Sequence, residues 1–245
     1  MNDAGASGMP EDMRFADTRW TLVGAAGRGE RQQARRALLE LCLQYWYPVY
    51  AYLRRCGHAA EIAEDIAGVF FGELLGSRLP LTPLPAQVRF RQFLFDSLHR
   101  FLATDWRRME ATGGTFEQAE GPALELLEAR HQREAASTRS AAESFHRDYA
   151  LELIASAHRR LSQEAVSAGH GPMYEALAPF LATRPPPAAL EALAVELSSR
   201  PAVLATALRR LRDRFQELVR DELAQTVGDQ AGLECERTEL LAALQ

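Results

Sequence analysis

Between Arg200 and Arg220 the chain carries six arginines against Asp213 and Glu217, and between Arg89 and Arg108 five against Asp96 and Asp105. Guanidinium groups gathered this way neutralise phosphates, or form a solvated helix face. Arg89, Arg100 and Arg107 are eleven and seven residues apart, close to whole helical turns, so they are expected to form one basic line. Phe93, Phe95, Leu102 and Trp106 lie beside it. Left exposed, the aromatic ones would stack on single-stranded bases; covered by a neighbouring helix, all four would be core. Glu61, Glu64 and Asp65 open another helical stretch, where they complement the helix dipole or face a basic partner.

Other chemistry is expected to be absent. Glu128-x-x-His131 and Glu143-x-x-His146 repeat the spacing with which helical bundles hold a carboxylate-bridged metal pair. Both fall in a polar stretch without the two further inward glutamates, so neither a metal nor a cofactor is expected. Cys42, Cys56 and Cys235 form no CxxC pair, which leaves neither a disulfide framework nor a zinc site. His58, His99, His158 and His170 are scattered, and no nucleophile-base arrangement stands out. The chain is therefore not expected to be an enzyme.

The elements that would position these residues read as helices. Leu190, Leu193, Ala194 and Leu197 fall at i, i+3, i+4, i+7; Ser198 to Arg200 make a turn; Pro201 suits a first helical position. Leu204, Leu208, Leu211, Phe215 and Leu218 then mark one apolar stripe, with the arginines mostly off it. This is a helix-turn-helix pattern, or an ordinary helical hairpin. Upstream, helices are predicted over about Glu30 to Gln44, from near Pro48 to a cap at Gly57, over Ala60 to Leu75, and over about Ala86 to Met109. Tyr45, Trp46, Tyr47, Tyr50 and Tyr52 read as core more readily than as a stacking platform.

Three prolines between Leu79 and Pro85 predict a loop, and the stretch from Glu110 to Ser144 a polar linker of partly helical character. A second helical group begins near Phe145, and the tail adds a short helix through Leu233, Leu240, Leu241 and Leu244. With no period-two pattern and no phosphate loop, the fold expected is all-α: two helical domains joined by an acidic linker, the second ending in a helix-turn-helix. The expected boundaries are 15–109, a linker at 110–144, 145–225, and a tail at 226–245.

A hydrophobic content of 47% suffices for a core, and no run of apolar residues is long enough to span a membrane. The small, polar, acidic start MNDAGASGMPEDMRF does not read as a secretory signal, so a soluble cytoplasmic protein is expected. A net charge of −5 argues against a free-standing tight nucleic-acid binder. Every basic residue is arginine and none lysine, which reads as genome composition rather than function.

Taken in order, RALLELCLQYWYPVYAYLRRCG, AEDIAGVFFGELL, RFRQFLFDSLHRFLATDW and LRRLRDRFQELVRDEL resemble the bacterial RNA polymerase sigma factors of the extracytoplasmic-function group, over about Phe15 to Leu223. The resemblance implies a transcription initiation factor that binds core RNA polymerase and directs it to promoter DNA. Glu61, Glu64 and Asp65 would dock on the polymerase clamp, and Arg89, Arg100, Trp106, Arg107 and Arg108 would hold the melted upstream strand. The linker would thread toward the polymerase channel. Arg200, Thr206, Arg209 and Arg210 would meet the more distant promoter element. Polymerase would supply much of the affinity and the factor the specificity, which suits a weak net charge. An anti-sigma protein, phosphorylation by a kinase and the C-terminal tail all stay open as controlling elements.

The chain departs from the family pattern at several positions. Ala67 and Gly68 stand where a polar Thr-Gln pair is usual, and Ala111 and Thr112 where a basic pair is usual. Ser198 takes the place of a turn glycine, Arg200 that of a capping Ser or Thr, and Ala205 and Ala207 positions where a Lys or Arg would contact DNA. These departures define an alternative, a degenerate sigma-like module that binds polymerase or another regulator without reading the distant element.

Overall fold

The structure, a computed structural model, describes residues 18–24, 31–76, 88–107, 118–134 and 139–245. Arg108, the predicted loop between Leu79 and Pro85, Ala111 and Thr112 lie outside the described residues. Among those described, the regular elements are helices and no strand occurs. They are α1 (Arg19–Gly24), α2 (Arg31–Gln44), α3 (Trp46–Arg55), α4 (Ala60–Leu75), α5 (Phe90–Arg100), α6 (Leu124–Glu134), α7 (Ala141–Ser167), α8 (Gly171–Leu177), α9 (Pro187–Glu196), α10 (Pro201–Ala224) and α11 (Gln230–Ala243). No described helix is long and apolar enough to cross a membrane.

Local chemistry sets several helix ends. Gly57, at φ +98°, closes α3 while the His58 N–H returns to the Leu53 carbonyl at 3.3 Å, a glycine cap as the sequence predicts. Ser140 and Glu143 open α7 as a reciprocal capping box. The Ser140 N–H donates to Glu143 Oε2 at 2.9 Å, and the Glu143 N–H donates to Ser140 Oγ at 3.2 Å. Asp229 caps α11 by accepting the Gly232 N–H at 2.7 Å.

By compactness the chain divides into two units: the described residues up to Glu152 with Leu223–Gln245, and Leu153–Glu222. These divisions differ from the expected boundaries, because the tail and much of the expected linker group with the first unit. In that unit Tyr45, Trp46, Tyr47, Tyr50 and Tyr52 are all buried, which settles the aromatic run as core. Tyr45 stacks on Tyr149 at 4.1 Å and Trp46 on Phe71 at 4.5 Å between ring centroids. Phe90, Leu94, Leu98 and Phe101, three or four residues apart as on one helix face, are buried, whereas Ile62 on α4 is exposed.

Part of the expected linker is α6, which buries Leu127 and docks on α3 through charge. Glu128 takes Arg54 in a bidentate pair at 2.9 and 3.0 Å and accepts the Tyr50 hydroxyl at 2.6 Å. Glu134 accepts the Tyr47 hydroxyl at 2.8 Å, while Arg130 lies over the Tyr47 ring and pairs with Glu152. The tail helix α11 is held in the same manner. Glu236, with no exposed surface, bridges Arg89 at 2.8 Å and Arg91 at 2.7 and 2.9 Å, and Glu239 pairs with both arginines.

The second unit gathers Ala157, Leu161, Leu177, Ala194, Leu204, Leu208 and Leu218 into one core, with Leu211 and Phe215 packed against it. The predicted stripe of α10 is therefore its inner face. Arg212 leaves the solvated set: its guanidinium caps the carbonyls of Phe180 at 2.7 Å, Leu181 at 3.2 Å and Thr183 at 2.5 Å.

Candidate functional site

Three surfaces carry the residues singled out by sequence. The first is acidic. On α4, Glu61 and Asp65 are exposed and Glu64 is half-buried. Burial raises the Glu64 pKa, and the charges of Asp65, Glu125 and Glu61 raise it further. Glu125, from α6, is thus a fourth member of this patch. Its place in a stretch read as linker gave no signal that the fold would bring it there. A cation docking on this patch would relieve mutual repulsion, so a basic partner surface suits it.

Beside the acids, Gln118 and Ala119 lie along α4. The Ala119 N–H donates to the Gly68 carbonyl at 3.0 Å, and Gln118 Nε2 donates to Asp65 Oδ1 at 3.4 Å. A Cβ on Gly68 would sit 3.5 Å from both the Ala119 carbonyl and the Gln118 side chain, so any longer side chain would displace this segment. Gly68 is thereby matched to a local packing contact, and Ala67 beside it is buried.

The second surface is basic and smaller than the expected line. Arg100 and Arg107 are exposed and make no ion pair among the described residues. Arg89 does not join them as a free cation: it sits just before α5 and is taken up by Glu236 and Glu239. The expected long α-helix widens after Arg100 into a π-helical turn, Phe101–Trp106, with Trp106 half-buried toward Phe101. Phe95 is covered by Phe145 at 4.8 Å and His146 at 5.1 Å from α7, and Phe93 meets Trp20 at 5.2 Å. These two aromatics are packing residues rather than a stacking platform.

The third surface is the first half of α10 with the preceding turn. Thr206, Arg209 and Arg210 are exposed, and i+3 and i+4 spacing puts the arginines on one face with Thr206. Arg200 is exposed in the turn. Among the described residues, Arg200, Arg209 and Arg210 have no ion pair. Arg214 contrasts with them, chelated by Glu164 at 2.8 Å through two nitrogens and by Glu217 at 2.8 Å. Ser198 adopts φ +46°, and the turn closes by Ser199 N–H to Ala194 carbonyl at 2.8 Å and Ser198 N–H to Val195 carbonyl at 3.2 Å. Ser198 therefore holds the left-handed conformation that favours glycine, and its side chain bears the strain.

The two Glu-x-x-His pairs have other occupations. Glu128 belongs to Arg54 and Tyr50, Glu143 caps α7, and His146 Nδ1 accepts from Arg91 Nη1 at 2.9 Å. Among the described residues, no three His, Cys, Asp or Glu side chains gather where a metal could be held. Set beside known proteins, the chain matches no family model, no curated protein and no solved structure.

Proposed function

We propose that this protein is a sigma-type transcription initiation factor, a non-catalytic subunit that joins core RNA polymerase and brings it to specific promoters. The observation that carries this reading is the pairing state of the α10 arginines. Arg212 and Arg214 serve the protein itself, whereas Arg209 and Arg210 have no ion pair among the described residues and share one exposed face with Thr206, in the first half of the helix that follows a tight turn. Guanidinium groups so placed, on an exposed face in the first half of the second helix of such a pair, suit phosphate and base contacts in a major groove. The acidic patch around Glu64 would receive the basic clamp surface of polymerase, and Arg100 and Arg107 would bear on the opened strand.

The test is a titration of the full chain with bacterial core RNA polymerase, followed by promoter duplex. Tight binding is expected, weakened by Glu64→Lys with Asp65→Lys. Arg209→Gln with Arg210→Gln should leave polymerase affinity intact, weaken duplex binding and reduce the salt slope by about 1 per arginine. No polymerase binding, under conditions where an authentic sigma factor binds, sinks the proposal. Ala205, Ala207 and the pairing of Arg89 favour the second reading, a degenerate module that keeps a protein partner and has given up the distant element. That reading expects polymerase or regulator binding with no duplex preference.

A further inference from the structure

The second unit contains a cleft of about 690 Å³ among α7, α8 and α10 that plays no part in the proposed DNA contacts except at its rim. Leu161, Met173, Tyr174, Val203 and Leu211 line it, and Val203 remains 49% exposed. Its charges are unequal. Glu164 and Arg214 chelate one another at the edge, and Arg214 holds the Glu164 pKa below its usual range, so that carboxylate is already satisfied. Arg210 lines the same cleft without an ion pair among the described residues. An apolar hollow lined by one guanidinium that has no ion pair among the described residues complements a molecule with one negative charge and an apolar body. Size narrows the class. Small-molecule sites span about 300–1,000 Å³, whereas three turns of helix about 10 Å across would fill roughly 1,250 Å³ and stand largely outside.

We propose that this cleft binds an amphiphilic monoanion, a long-chain carboxylate, with its head on Arg210 and its chain against Val203, Met173 and Leu211. The bound head would occupy the guanidinium that the proposed function assigns to DNA, so the ligand would oppose duplex binding. That consequence rests on the initiation-factor reading; the binding does not.

Calorimetric titration of the full chain with sodium dodecanoate, without DNA or polymerase, tests the site. Saturation at one ligand per chain is expected, with decanoate about fifteenfold weaker because each lost methylene costs about fourfold. Arg210→Gln should lower the affinity about tenfold, and Val203→Glu, at a half-exposed position, should abolish binding. Arg220→Gln, the same charge loss on the same helix outside the cleft, should change it less than twofold. Dodecan-1-ol binding as tightly as dodecanoate, Arg220→Gln being as damaging as Arg210→Gln, or no saturable binding would each overturn the proposal. A dimer of the free chain that Val203→Glu dissolves would place a second copy in the cleft and overturn it too. Saturating dodecanoate should weaken promoter-duplex binding in parallel with its occupancy. Because the first titration contains only the chain and dodecanoate, its failure leaves the initiation-factor reading standing, and failure of polymerase binding leaves the site standing.

Discussion

A few charged side chains buried against one another do more for the first unit than its surface charge suggests. Burial opposes the charge of Arg91, but Glu236 and Glu239 outweigh it and raise its pKa. Arg91→Met should therefore cost about 1.5–3 kcal/mol by leaving the buried Glu236 with Arg89 as its remaining guanidinium partner, while Arg91→Met with Glu236→Met should recover most of that loss, as urea midpoints would show. Glu128 yields a pH signature. Hydrogen bonds from Arg54 and then Tyr50 lower its pKa from 4.5 to about 2. A depressed carboxylate stabilises the fold fully above its unfolded value and loses that contribution as the pH falls through the folded one. Stability should hence decline as the pH falls from about 5 to 2, and Glu128→Gln should both lower the midpoint at pH 7 and flatten that decline. An unchanged acid limb in the variant would show that Glu128 is not the titrating group. None of these pairs could be read from sequence, because each joins residues distant along the chain.

At the scale of elements, two short segments depend on one backbone position each. Ser198 pays for φ +46° with a side chain, so Ser198→Gly should raise the melting temperature of the second unit by relieving up to about 1 kcal/mol of strain. A lower value would mean that the turn is held by something other than its backbone angle. Gly121 packs on the Trp46 indole so closely that an added Cβ would lie 2.3 Å from the ring. Gly121→Ala should push the backbone at Gly121 off the Trp46 indole of α3 and red-shift the emission of buried Trp46; an unmoved spectrum would show that the segment accommodates the methyl. The turn at Ser198 was legible from the apolar spacing on either side of it. The helix α6 was legible only as partial helix, since its glutamates look like solvated linker until Arg54 and Arg130 are seen beside them.

For the molecule as a whole, the tail is the element whose role changes most. Leu233 and Leu240 are buried, and Glu236 closes the arginine pair, so α11 belongs to the first unit's core. Deleting residues 228–245 should destabilise that unit cooperatively, with faster hydrogen exchange through α3 and α5 while the exchange of α9 and α10 changes little. Equal loosening of both would contradict the division at Leu153 and Glu222.

Periodicity alone determined the helical class, the inner stripe of α10, the core positions of α5 and the glycine cap of α3, because each depends on residues within a few turns of one another. Composition likewise located the acidic and basic stretches. Only the tertiary structure decided which charges are free. Arg89, Arg91, Arg212 and Arg214 look no different in sequence from Arg100, Arg209 and Arg210, yet the first four meet carboxylates or carbonyls contributed by other elements and the last three have no ion pair among the described residues. A charge is available to a partner when folding leaves it without one, and that is a property of packing between distant segments rather than of the residue or its neighbours in the chain.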